Sequence, residues 1–271
     1  MFYKIPSKLR SDFESEIQSR KNIAPTVKSN QWHTRCISNY NDVLLACKEF
    51  YNSSTMWRGA AATRNKHKSS DLTYNARVEV ALNNLATSLH DYFTATPTTP
   101  NTQTNFDLFL TTLCNNLIND LQVARNIVGY DQISYGQAQK MVNVIFKYLT
   151  CYSDYDEFAD LFSHCHMPID RIILRLMEKH PLSVQNCHNG TYRGTCWTAL
   201  SQAQYDELIH DYCTAIDLAL VDVAGNRHTY LELEYCLWYA AVRCPTRGII
   251  FDGVPIPLDG TLATPIAEFH M

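Results

Sequence analysis

The sequence predicts an all-α fold. Three observations support this class: apolar residues recur at helical spacing, capping residues precede several of those stretches, and strand patterns are nearly absent. Of the 271 residues, 46% are hydrophobic and 18% are charged, which is typical of a folded globular protein. Apolar runs of β-branched residues are scarce except around 248–251. The pattern indicates about eight to ten helices with irregular terminal segments.

The first strong helical pattern covers about residues 75–95. The segment 97–104 follows, and its proline and short polar residues predict a linker. A longer pattern runs from Phe106 to Val128 and is expected to end at Gly129, because glycine commonly terminates helices. The apolar residues of the first pattern are Val78, Leu82, Leu85, Leu89 and Phe93.

Further helices are predicted in the second half of the chain. One covers about 137–152 and a short one about 155–163. Pro168 disfavours helix at the preceding residue, so Asp170 is expected to cap the next helix. The expected buried side of helix 137–152 carries Met141, Val144, Ile145, Tyr148 and Leu149. Two capping boxes predict later helices, and they are Ser201 with Gln204 and Thr229 with Glu232.

The chain is predicted to form one unit over 1–271 with two approximate lobes, 1–96 plus 201–271 and 105–200. No stretch reaches the roughly 18 apolar residues of a membrane span, and the N-terminus lacks the apolar core of a signal peptide. We therefore expect a soluble, cytoplasmic monomer that has no membrane partner and no cofactor. The ten cysteines are expected to be reduced thiols.

The net charge of −4 is unevenly distributed. Residues 1–77 hold 13 Lys/Arg and 6 Asp/Glu, a balance of +7, whereas residues 78–271 hold 10 and 21, a balance of −11. A basic segment on an acidic body can present a surface to phosphates. The alternative is that these charges are spread over solvated faces. The phosphate-contact candidates within the basic run 58–68 are Arg64, Lys66 and Lys68.

Lys140 and Asp170 are the candidate chemical centre. Lys140 is expected in the first turn of a helix, where the positive end of the helix dipole favours the neutral, nucleophilic amine. Asp170 follows Pro168 and Ile169 at the start of another helix. Each residue also has an ordinary structural interpretation. A single lysine is usually a solvated surface residue, and an aspartate before a helix is usually only a helix cap. Their pairing on successive predicted helices is what indicates a reactive site.

These residues resemble the helix-hairpin-helix DNA glycosylase superfamily. Gln139-Lys140 at a helix start, followed by Pro168-Ile169-Asp170 at another, is most similar to its archaeal 8-oxoguanine DNA glycosylase branch. The resemblance implies a bundle of two helical lobes with the active-site cleft between them. The Leu-Pro-Gly-Val-Gly hairpin pattern of typical members is missing, which leaves Ser134 and Gly136 to expose backbone groups to a phosphate.

The resemblance also implies a mechanism on double-stranded DNA that contains a modified base. Lys140 would attack C1′ of the sugar, displace the base and form a Schiff base that permits strand cleavage. Asp170 would stabilise the positive charge that develops on the sugar and accept a proton from the attacking amine. The excised base would be 8-oxoguanine-like or, as an alternative, a hypermodified pyrimidine of phage DNA in a defence role.

The target base must leave the duplex and enter a pocket with aromatic walls. Most aromatic residues of a globular chain belong to its core, and each candidate is weighed against that alternative. The substrate-binding candidates are Trp32, Trp57, Tyr135, Gln139 and His166, with Trp197 as a further aromatic candidate.

Two other classes of function compete with a glycosylase. A helical interaction module of a defence or toxin–antitoxin system would make the Lys–Asp pairing accidental. A metal-dependent hydrolase would use a cluster of histidine and cysteine residues, although its spacing matches no familiar zinc pattern and no metal site is expected. That cluster comprises His164, Cys165, His166, His180, Cys187, His188 and Cys196.

Overall fold

The computed structural model describes residues 5, 7–19, 32–53, 71–95, 100–170, 173, 197–217, 229–231, 234–235, 249–251 and 254–256. Helices dominate these residues, which confirms the all-α class. A two-stranded antiparallel hairpin is the exception, with β1 (Ile249–Phe251) paired to β2 (Val254–Ile256) at the apolar run noted in the sequence. The α-helices are α1 (Ser7–Ser19), α2 (Tyr40–Ser53), α3 (Leu72–Thr94), α4 (Gln103–Ile127), α5 (Tyr135–Leu149), α6 (Tyr155–Phe162) and α7 (Gln202–Asp217).

Side-chain and glycine caps define the ends of α3 and α4. The Asp71 side chain, which was not among the predicted caps, caps α3 by accepting the backbone N–H of Tyr74. At the end of α4, Gly129 takes a left-handed conformation with φ 66°, as the sequence predicts. The Gly129 N–H donates to Asn126 O and the Tyr130 N–H to Arg125 O, which together form a Schellman motif.

α5 lies at the centre of the described helices. It packs against α2, α4, α7 and the 3₁₀ turn Trp197–Ala199. The sequence pattern predicts one buried side, but almost every residue of α5 is buried, as expected of a helix enclosed by neighbours. Its buried polar residues Gln139, Asn143 and Lys147 must therefore find partners inside the protein.

The helices assigned to different lobes pack directly on each other, since α4 packs along α3 and α5 contacts both α2 and α4. Their apolar residues belong to one continuous hydrophobic core. The division into lobes stays a prediction. Within the described ranges, no helix is both long and apolar enough to cross a membrane. The described cysteines are free thiols, as expected, and they are Cys36, Cys47, Cys114, Cys151 and Cys165.

Gly136 is required by a close approach of two backbone segments. A Cβ atom at this position would lie 1.9 Å from the carbonyl oxygen of Trp197, and backbone cannot move aside as a flexible side chain can. We expect Gly136→Ala to lower the free energy of unfolding by about 2–3 kcal/mol, the cost of overpacking. Gly129→Ala is the control. Nothing lies within 4 Å of its added Cβ, so only the left-handed backbone costs about 1 kcal/mol. Urea unfolding of both variants measures the difference, and equal losses would contradict this account.

Candidate functional site

Lys140 and Asp170 form an ion pair that is partly accessible to solvent. Lys140 Nζ donates to Asp170 Oδ2 at 2.6 Å, and each side chain is 16% exposed. The residues predicted as a pair from the sequence are therefore in direct contact. A carboxylate at this distance stabilises the lysine ammonium and is also positioned to accept its proton.

Asp170 is also the helix cap that the sequence predicts. Its Oδ1 accepts the backbone N–H of Ile173, three residues later, and Ile173 is helical. The two carboxylate oxygens thus have different partners, one at the helix start and one on Lys140. This arrangement fixes the carboxylate, because rotation about its side chain would break both contacts.

The start of α5 differs from the sequence prediction. The helix begins at Tyr135, and Ser134 caps it through a capping box with Gln137. Lys140 is consequently the sixth residue of the helix, in its second turn, where the helix dipole has little effect. The expectation that the dipole activates Lys140 is wrong. Asp170 is the group positioned to influence this amine.

Gln139 holds the segment before Asp170 against α5. Its amide Nε2 donates to the carbonyl of Ile169 at 2.8 Å, and its Oε1 accepts the Ile169 N–H at 3.2 Å. The Nε2 group also donates to Gly136 O, and Oε1 also accepts from Asn143. Gln139 is fully buried and fully engaged, which corrects the prediction that it binds substrate. It is a positioning residue that places Asp170 beside Lys140.

Ser134 and Gly136 have their donors satisfied within the protein. The Gly136 N–H donates to Leu200 O, and the Ser134 hydroxyl donates to Thr198 O. The Ser134 N–H donates to the Gln137 side chain. The turn at 197–200 thus covers this helix start. These donors serve a helix cap and a close backbone contact, and the phosphate contact of Ser134 and Gly136 stays a prediction.

The remaining substrate candidates that the structure describes do not gather around the ion pair. Trp32 is 2% exposed and lies in the core, where its ring packs 4.6 Å from Tyr148 and its Nε1 donates to Glu49. This burial corrects its assignment to a base pocket. Tyr135 and His166 line a separate pocket between α4 and α7. The candidates that lie outside the described residues are Trp57, Arg64, Lys66 and Lys68.

Sequence reasoning missed a second ion pair on α5. Lys147 lies two turns after Lys140, on the same face and about 10 Å further along the helix. Its amine contacts the Glu234 carboxylate, and both side chains are 2% exposed. The Phe13 and Tyr235 rings flank the amine at 4.3 Å each, an arrangement that suits a cation. Burial lowers the pKa of Lys147, and the attraction to Glu234 offsets only part of this effect.

The buried pair predicts a marked non-additivity in stability. Glu234→Leu or Lys147→Met alone leaves one buried charge without its partner, so each should lower the free energy of unfolding by about 3–5 kcal/mol. The double variant Lys147→Met/Glu234→Leu removes both charges and should recover most of that loss. Urea unfolding of the three variants forms the double-mutant cycle. Losses that simply add would contradict a strong interaction between the two side chains.

A buried polar network connects the pocket to α5. Asp107 only accepts hydrogen bonds, so His166 Nε2 donates to it at 2.8 Å. His166 Nδ1 lies 2.9 Å from the Tyr205 hydroxyl, within hydrogen-bond distance. Tyr205 in turn accepts from Asn143, which also donates to Gln139. The network therefore reaches the residue that positions Asp170.

The histidine–cysteine cluster is only partly described. Among the described residues, no three side chains are grouped so as to hold a metal ion. His166 is bound to Asp107 and Tyr205, and Cys165 is buried, which raises the pKa of its thiol well above the usual range. His164 is also described, and its Nδ1 lies 3.2 Å from Gln103 Oε1. The four members that lie outside the described residues are His180, Cys187, His188 and Cys196.

Comparison of the chain with protein-family models, with curated proteins and with solved structures gave no match. The resemblance to helix-hairpin-helix glycosylases consequently depends on the motifs Gln139-Lys140 and Pro168-Ile169-Asp170 alone.

Proposed function

We propose that this protein is a DNA glycosylase that excises a modified base with Lys140 and Asp170. The supporting observation is the 2.6 Å contact between the Lys140 amine and the Asp170 carboxylate, held where both side chains keep some exposure. The Asp170 carboxylate is held in place by the Ile173 N–H, and Gln139 holds the backbone of the preceding residue, Ile169. A lysine with only a solvated surface role would not need a carboxylate positioned in this way.

The chemistry follows from the pair. Asp170 accepts a proton from the Lys140 ammonium, and the freed amine attacks C1′ of the target nucleotide. The new C–N bond forms as the glycosidic bond breaks, and the base leaves with the bonding electrons and takes up the proton that Asp170 holds. The Asp170 carboxylate restored in this way stabilises the positive charge that develops on the sugar. The sugar ring would then open as the attached amine loses a proton, and the resulting Schiff base would permit cleavage of the strand. In this proposal the chain adopts a two-lobe glycosylase arrangement, with the pair at a cleft that admits the flipped nucleotide.

The substrate class is tested with the complete protein. It is incubated separately with oxidatively damaged genomic DNA and with phage DNA that carries hypermodified pyrimidines, and the released bases are identified by mass spectrometry. The proposal expects one modified base to be released from one of these DNAs. Release of 8-oxoguanine indicates repair, whereas release of a phage pyrimidine indicates defence. Absence of any released base from both DNAs would contradict a glycosylase.

A further inference from the structure

The pocket between α4 and α7 has a volume of about 660 Å³, within the range of small-molecule sites. Residues of both helices form two of its walls. Tyr135 at the start of α5 and Tyr230 contribute aromatic surface. Neither Lys140 nor Asp170 lines it, so this pocket is separate from the ion pair.

One carboxylate in the pocket is held in a fixed orientation. Asp107 Oδ1 accepts from His166 Nε2 and from Gln103 Nε2, each at 2.8 Å, while the side chain stays 48% exposed. The hydrogen bonds from His166 and Gln103 lower the pKa of Asp107. This effect is larger than the opposing effect of partial burial, which acts to raise the pKa. Asp107 thus presents a charged group to the pocket without having to reorganise. A side chain that is already held in one orientation loses less conformational entropy when a ligand binds.

A second acid also lines the pocket. Asp206 adds a carboxylate, and the described lining residues include two histidines, His166 and His210, but no lysine or arginine. Burial, with a smaller contribution from the charge of Asp107, raises the pKa of Asp206, as expected where two acids share one pocket. An anion such as a DNA phosphate is therefore disfavoured here.

A buried hydroxyl in the wall also lacks a proper partner. Tyr135 is 5% exposed, and its hydroxyl lies beside Thr111 and Cys114 without a hydrogen bond of normal geometry. A buried polar group in this condition costs free energy. The hydroxyl oxygen itself is closed to solvent, so Tyr135 contributes apolar surface to the pocket wall and no polar contact to a ligand.

We propose that this pocket is a binding site for a small planar organic cation, an amidinium or guanidinium group carried on an aromatic or apolar body. The planar cation pairs with the Asp107 carboxylate through Oδ2, because Oδ1 already accepts from His166 and Gln103. The apolar body packs against Tyr230 and Leu108. Because none of these residues takes part in the proposed excision, the site does not depend on the glycosylase proposal.

The test uses benzamidine, a planar aromatic cation, and benzamide, its neutral counterpart of nearly the same shape. Isothermal titration of the complete protein should give benzamidine an affinity at least about tenfold higher than benzamide, the factor expected of one charge-assisted contact. Asp107→Asn should abolish this preference. Asp206→Asn should reduce it several-fold, and this exposed position keeps the test valid if Asp107→Asn disturbs the fold.

Asp120→Asn is the matched control, because Asp120 lies on the same helix but outside this pocket. It should bind benzamidine as the parent does. Three results would overturn the site: no benzamidine binding by the parent, equal affinity for the two compounds, or an unchanged preference in both Asp107→Asn and Asp206→Asn.

Discussion

Lys140→Gln is expected to abolish covalent trapping of the protein on DNA by borohydride while leaving the fold intact. Trapping requires an amine that forms a Schiff base, and an amide cannot form one. Glutamine keeps an N–H donor for the Asp170 carboxylate, so the loss of stability should stay within about 1 kcal/mol, the scale of a partly exposed ion pair. The measurement is the yield of the reduced protein–DNA adduct, with the melting temperature recorded beside it.

Lys48→Gln provides the control for this variant. Lys48 is likewise a partly exposed lysine in an ion pair, with Glu79, and it lies on α2 away from Asp170. It should trap DNA as the parent does. Normal trapping by Lys140→Gln would show that the nucleophile is another group.

Asp170→Asn is expected to reduce base excision by about 10³-fold or more, the scale of a lost main electrostatic contributor. Asparagine can still accept the Ile173 N–H through its side-chain oxygen, so the helix cap is retained. It cannot take a proton from Lys140 or oppose positive charge on the sugar. The loss of the ion pair should lower stability by only about 1–2 kcal/mol.

Single-turnover excision at a temperature where both proteins are folded separates the two roles of Asp170. If the residue only caps the helix, the asparagine variant excises base at nearly the parent rate. That result would remove Asp170 from the chemistry. Binding of the variant to DNA, measured in parallel, should be unchanged.

The helices could be predicted because their apolar spacing and caps are local. The pattern over 75–95 corresponds to α3 at 72–94, and the Ser201–Gln204 capping box opens α7 as predicted. Gly129 terminates α4 because glycine has no Cβ atom and therefore adopts the left-handed conformation without steric strain. Each of these signals depends on residues within a few positions of one another.

The site was predicted less completely because its contacts are distant in sequence. Gln139 was expected to touch substrate, but its amide holds Ile169, thirty residues away. Gly136 was expected to expose its backbone, whereas Leu200 and Trp197 cover it. In the sequence, a polar residue that contacts a ligand cannot be distinguished from one that contacts another segment of the chain. Only the packing of the helices distinguishes these cases.

The buried pair Lys147–Glu234 illustrates the same limit. Lys147 lies in an apolar helical pattern where a lysine is expected to reach solvent, and Glu234 lies in a separate helical segment near the other end of the chain. No local pattern joins them. The network from Asp107 through His166 to Tyr205 likewise draws on three separate parts of the sequence.

If Lys140 and Asp170 act together as the reactive pair, the site of covalent attachment to DNA identifies the nucleophile. The parent protein is trapped on its substrate DNA with borohydride, the adduct is digested, and the modified lysine is located by mass spectrometry. We expect a sugar remnant on Lys140, whose side chain is partly exposed, and none on Lys147, which is buried. An adduct on any other lysine, or excision without any adduct, would contradict the assignment of Lys140 as the nucleophile.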